Sequence, residues 1–180
     1  MITIRFAPIP KCASRSLKAL GLLGEVEGLC HSKVKEYPDW ELYDWHYIVR
    51  NNDEWYKSWW LESKQSRTDF SKALGMTFEN FESDMLRFNS FESIGDYPPC
   101  SGPDEWIPTD KETFKEGMRH FVSLGLGFKE FCYSIIMDGV TCTPVNIENL
   151  DNWLIANGFK PVHKNIRQYY NFGVINEGGG

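Results

Sequence analysis

A lysine, two serines and an arginine crowd into residues 9–17, I-P-K-C-A-S-R-S-L. Lys11 supplies a full charge on a flexible stem, Ser14 and Ser16 supply hydroxyl donors, and Arg15 adds a planar fork of N–H groups. That mixture suits a phosphate or a sulfate. A lysine-bearing loop before a helix capped by Ser14 or Ser16 is the plainer account of the same letters. A second cluster lies in residues 48–60, I-V-R-N-N-D-E-W-Y-K-S-W-W, where Ser58 follows Arg50 by eight positions. An arginine at the end of a strand can fork onto a phosphate. A serine two turns into the following helix reaches the same group if strand and helix fold back together. Taken alone, Arg50 and Ser58 read as a surface arginine and a helix-face serine. Two such clusters in order, each at a strand-to-helix junction, point more strongly to a phosphorylated ligand.

Two related chemistries fit poorly. The G-x-x-x-x-G-K-[ST] loop of nucleoside-triphosphate enzymes is absent, since Lys11 precedes the serines and has no glycines around it. A cysteine-phosphatase loop wants an arginine six positions after its cysteine, and six beyond Cys12 stands Lys18.

The elements that must hold these residues are legible in outline. Ile2, Ile4 and Phe6 alternate with Thr3 and Arg5, which predicts a strand that Pro8 and Pro10 stop. Leu17, Leu20 and Leu23 recur at helical spacing from Ser14, with Gly24 as the expected stop. A short strand is expected over residues 26–31, a clearer one over 46–50, and a helix over 53–64. Phe78, Phe81, Met85, Phe88 and Phe91 form a helical stripe that reads as core packing. Residues 96–108, with four prolines and a glycine, predict a loop. Residues 113–136 are helical apart from an interruption at Gly125 and Gly127, 140–147 are β-rich, and 150–157 form a helix ending at Gly158. Strands alternating with helices favour an α/β fold with a mainly parallel sheet.

Composition sets outer bounds. The chain has 180 residues, 42% of them hydrophobic and 15% aromatic, enough for one domain with a substantial core. The net charge of −6 argues against nucleic acid as a main partner but leaves room for one basic cleft. No apolar run is long enough for a membrane span, and the first ten residues read as a strand with no signal peptide. Cys12, Cys30, Cys100, Cys132 and Cys142 are odd in number and widely spaced, which predicts free thiols, a reducing cytoplasmic setting and no zinc site.

P-K-x-A-S-x-S, from Pro10 to Ser16, resembles the 5′-phosphosulfate loop of sulfotransferases that use 3′-phosphoadenosine 5′-phosphosulfate (PAPS), in particular the carbohydrate and membrane-type branch. The segment from Arg50 to Ser58 resembles that family's 3′-phosphate motif, a strand ending in Arg-Asn-Pro and a helix carrying serine eight residues after the arginine. Asn51 and Glu54 match the usual types, while Asn52 replaces the proline, Trp55 a common arginine, and Arg15 a usual Ser or Thr. V-N-I-E-N-L at 145–150 and P-V-H-K-N-I-R at 161–167 are softer matches, and a serine common near Arg167 is missing. The likeness covers residues 4–64 and 130–172.

The resemblance implies a P-loop-like three-layer α/β/α domain spanning residues 1–180, with a central, mainly parallel sheet. It implies sulfuryl transfer from PAPS to a hydroxyl or amine acceptor, such as a carbohydrate or small molecule, leaving 3′-phosphoadenosine 5′-phosphate (PAP). Lys11, Cys12, Ala13, Ser14, Arg15 and Ser16 would surround the 5′-phosphosulfate, and Arg50 and Ser58 the 3′-phosphate. Residues 65–130, which resemble nothing in the family, are the expected helical and loop insertion for the acceptor. The family's general base lies shortly after the first helix. His31 is the favoured candidate, Glu25 and Glu27 are alternatives, and His120 and His163 have weaker claims; His46 is expected far from the cofactor. The alternative reading is a nucleotide- or phosphate-binding protein of the same fold that has lost catalysis. A P-loop kinase is disfavoured by the missing glycines.

Overall fold

The structure, a computed structural model, describes residues 3–29, 31–64, 76–87 and 111–162. Three parallel strands form one sheet in the order β1 (Thr3–Phe6), β2 (Tyr43–Val49) and β3 (Thr143–Asn146). Both pairings are parallel, so the C-terminal ends of the three strands point the same way; Phe6, the last residue of β1, is level with His46 and with Thr143, the first residue of β3. Six α-helices accompany the sheet among the described residues: α1 (Ser14–Ala19), α2 (Asn52–Lys64), α3 (Phe78–Arg87), α4 (Lys111–Ser123), α5 (Phe128–Met137) and α6 (Leu150–Ala156). None of them is long and apolar enough to cross a membrane.

Period-two alternation divides the strands between two faces. On one face Tyr47 meets Tyr133 of α5 with ring centroids 5.8 Å apart, and Arg5 lies 4.8 Å from the centre of the Tyr43 ring. On the other, Phe6 and His46 meet Trp153 of α6, each at 5.1 Å. His46, buried mid-strand in this contact, belongs to the core. Trp55 and Tyr56 of α2, Phe81 and Met85 of α3, and Phe128 and Phe131 of α5 complete the core. The phenylalanine stripe therefore packs as read at Phe81 and Met85, while Phe88 and Phe91 lie outside the described residues, as do the expected loop at 96–108, Cys30, Cys100 and His163.

Two expectations need correction near the N-terminus. The first helix stops at Ala19, well short of Gly24. Gly21 takes a left-handed φ of 68°, and the chain reverses there: Leu22 N–H donates to Leu17 C=O at 2.9 Å and Gly21 N–H to Lys18 C=O at 3.0 Å. This is a Schellman stop, with Leu17 and Leu22 both buried at its ends. Leucine spacing carried the sequence reading past that glycine. Nor do the described residues of the 26–31 segment form a strand; the strand-like contact comes earlier, where Leu23 bridges Phe6 in parallel. Val26 and Leu29 instead close a turn that the buried Ser32 hydroxyl ties by accepting from Val26 N–H. Farther on, Gly125 at φ 72° separates α4 from α5, as the interruption there predicted.

Candidate functional site

Pro8 and Pro10 lack an N–H and cannot extend β1, so the chain leaves the sheet edge there as an irregular loop. Four successive carbonyls of that loop each accept a hydrogen bond from a side chain. His31 Nδ1–H donates to Pro8 C=O at 2.7 Å, Ser14 Oγ–H to Ile9 at 3.1 Å, Trp55 Nε1–H to Pro10 at 2.8 Å and Arg50 Nη1–H to Lys11 at 2.9 Å. Lys11 and Ala13 sit in the left-handed region, with φ of 59° and 58°. Each such non-glycine residue costs about 1 kcal/mol, so the clamps hold a loop that the backbone alone would not choose. Ala13 is the N-cap of α1, and no side chain caps the helix; neither Ser14 nor Ser16 plays the capping part the sequence allowed them.

The remaining loop residue, Cys12, is pinned beneath. Its Sγ lies 3.2 Å from the Tyr133 hydroxyl, which spends its one proton on Ile48 C=O at 2.8 Å. The thiol must then donate to the phenol oxygen. Burial pushes the Cys12 pKa up to about 11 despite the nearby cations Arg50 and Lys129, so the thiol stays protonated and is a packing group.

β2 delivers Arg50 to the same edge. Asn51 caps α2 by accepting from Glu54 N–H at 2.8 Å, and Glu54 lies 3.6 Å from Arg50 Nε. That Nε is buried and has no hydrogen-bond partner among the described residues. Two turns of α2 then bring Ser58, half-buried, and Trp59, whose ring lies 4.6 Å beneath Lys11 Nζ. The loop, Arg50 and Trp59 are thus neighbours at one end of β1 and β2, where open parallel sheets hold their ligands, and Ser58 precedes Trp59 on α2. Arg15 is exposed on α1 and Ser16 half-buried.

His31 joins this group through Pro8. Donating from Nδ1 leaves the lone pair on Nε2. Burial above all, opposed by the Pro8 hydrogen bond and reinforced by the Lys11 charge, lowers its pKa to about 4. At neutral pH it is an uncharged imidazole able to accept a proton at Nε2. Glu25 is instead paired with Lys18 at 3.5 Å, Glu27 is exposed, and His120 is exposed at the end of α4.

Sequence reading missed Lys129, Tyr133 and Trp55. Lys129 Nζ donates to Arg50 C=O and, at 2.9 Å, to Asn52 Oδ1. Lys129 and Tyr133 stand four apart on α5, so they share a helix face. That spacing was the available signal, but nothing in it says which strand end the face meets. Positive charge gathers here, on Lys11, Arg50 and Lys129, in a chain that is acidic overall. Among the described residues no cluster of metal-ligating side chains occurs. Comparison with family models, with curated proteins and with solved structures yields no match.

Proposed function

We propose that the chain is a PAPS-dependent sulfotransferase whose α/β domain has the P-loop-like three-layer form. The observation that carries this reading is the 2.9 Å hydrogen bond from Arg50 to Lys11 C=O. It joins the two turns that resemble the two phosphate motifs of one bisphosphorylated nucleotide. The clamped carbonyls favour an anion as well, because each carries its negative end into a donor and away from competition with a ligand oxygen. Arg50 Nε makes no hydrogen bond among the described residues and faces Glu54 at 3.6 Å, so a phosphate oxygen that displaces this carboxylate would complete it.

In this reading Arg50 and Ser58 hold the 3′-phosphate, and residues 11–16 hold the 5′-phosphosulfate. The acceptor oxygen or nitrogen forms the new bond to sulfur as the sulfur–oxygen bond to the 5′-phosphate breaks in line with it. The acceptor proton passes to His31 Nε2, and Lys11 stabilises the charge that grows on the departing phosphate. The acceptor is a hydroxyl or amine compound, and residues 65–130 provide its contacts.

Thermal melting with PAP, adenosine 5′-monophosphate (AMP) and ATP tests the nucleotide, since a ligand bound only by the folded state raises the melting temperature. PAP should give the largest rise, and Lys11→Ala and Arg50→Ala should each weaken PAP about 10- to 100-fold, the value of a lost charged hydrogen bond. A preference for ATP, or equal response to all three, sinks the assignment. PAP binding without sulfate transfer from PAPS to any of a broad acceptor panel leaves a nucleotide-binding protein in its place.

A further inference from the structure

We infer that Lys129 is the positioning residue for the 3′-phosphate side of the site: it fixes the turn from which Arg50 works. The inference rests on the nucleotide reading above and adds a residue from a distant helix to it. Lys129 reaches across from α5 and donates to Arg50 C=O and to Asn52 Oδ1, bracketing the first residues after β2. Arg50 in turn donates to Lys11 C=O, so one line of hydrogen bonds runs from α5 through the Arg50 turn to the phosphate loop. Lys129 is itself held at both ends of its residue. Its backbone N–H donates to the buried Tyr56 hydroxyl at 3.1 Å, and its ammonium lies 5.6 Å from the centre of the Tyr133 ring.

Asn52 explains why such a brace is useful. It is the first residue of α2, the position where the resembled motif has proline. Proline there fixes φ and prepares the helix start. Asparagine does not, and its carboxamide is what Lys129 grips. A hydrogen bond from a remote cation replaces the ring's stiffness. The brace also costs something: burial lowers the Lys129 pKa, so the ammonium gives up part of its hydration to reach these acceptors.

The test compares PAP with AMP, which lacks the 3′-phosphate, by calorimetric or thermal-shift titration of the full chain. Lys129→Met should lower the ratio of AMP to PAP dissociation constants about tenfold, the effect of one lost charge-assisted hydrogen bond, while AMP affinity changes little. Lys129→Arg should keep part of the ratio. Asn52→Pro placed in the Lys129→Met chain should restore much of it. A fold-wide role would instead weaken PAP and AMP in parallel, and that result overturns the inference, as does an unchanged ratio. If Lys129→Met melts too low to assay, Asn52→Ala removes one acceptor and should shift the same ratio in the same direction; no shift there overturns the inference equally. A wild-type chain that does not favour PAP over AMP brings down the nucleotide reading and this inference with it. A wild type that does, beside a Lys129→Met chain with the same preference, removes Lys129 alone.

Discussion

At the residue scale the most informative group is His31, because its environment fixes both its tautomer and its titration. A hydrogen bond to a carbonyl requires the proton on Nδ1, and the histidine remains neutral down to a pKa of about 4. An unfolded histidine titrates near about 6.5. As pH falls, the unfolded chain therefore takes up this proton first, and His31 drains stability between about pH 6.5 and about 4 while contributing no slope above that window. Urea unfolding at stepped pH should show a shallower acid loss for His31→Asn than for wild type; asparagine tolerates the left-handed φ of 54° found here. Parallel curves would mean that the imidazole takes up its proton equally well in the folded and unfolded chain. For catalysis the same environment sets the acid limb of kcat/KM, which reports the free enzyme. Under the sulfotransferase reading that limb should fall well below about pH 6.5, and it should disappear with the activity in His31→Asn. Lys11, Ser14 and Arg50, which the fold brings to one loop, were singled out together with Ser58 by residue type and spacing alone. Their partners were not, because Trp55 and Tyr133 look like ordinary core aromatics until the fold shows which carbonyls they satisfy.

Elements matter here as levers on one loop. Four of them hold it: α1 through Ser14, β2 through Arg50 at its end, α2 through Trp55, and α5 through Tyr133 and Cys12. The Tyr133 hydroxyl is buried between the Cys12 thiol and Ile48 C=O, so its removal strands a carbonyl and a thiol together. Tyr133→Phe should cost about 1–3 kcal/mol in urea unfolding, the range for a buried polar group left unmet. Cys12→Ala should cost less in the Tyr133→Phe chain than in wild type, since the two groups share one network. Strictly additive losses would show that thiol and phenol do not interact. Helix and strand identities around this network were mostly readable, because periodicity is a local signal. The first helix ran long in that reading, since three leucines kept helical spacing across Gly21, where a left-handed stop outweighs the pattern. The missed contact between Leu23 and Phe6 has a similar cause, as strand pairing across sixteen intervening residues leaves no local trace.

On the scale of the whole molecule, two charge distributions oppose each other. The chain carries a net charge of −6, which repels an anion at long range, while Lys11, Arg50 and Lys129 gather at the end of β1 and β2 and attract it at short range. The parallel order of the sheet produces this focus, because it brings the Lys11 and Arg50 segments together from opposite sides of a 36-residue connection between β1 and β2. That a sheet would form was legible; that Lys129, 79 residues from Arg50 in sequence, would complete the focus was not. Salt separates the two fields. Raising ionic strength from about 0.1 M to about 1 M shortens the Debye length from about 10 Å to about 3 Å. The far repulsion is then gone, and the short-range attraction of a partly exposed cleft is reduced but not abolished. If local cations dominate, PAP should bind more weakly at the higher salt, and Arg50→Ala should show a smaller salt dependence than wild type because one contributing charge has been removed. Titrations that tighten with salt would mean the overall negative charge governs encounter with the ligand. An Arg50→Ala chain with the wild-type salt slope would place the nucleotide's charge away from this edge of the sheet, and the sulfotransferase reading would go with it.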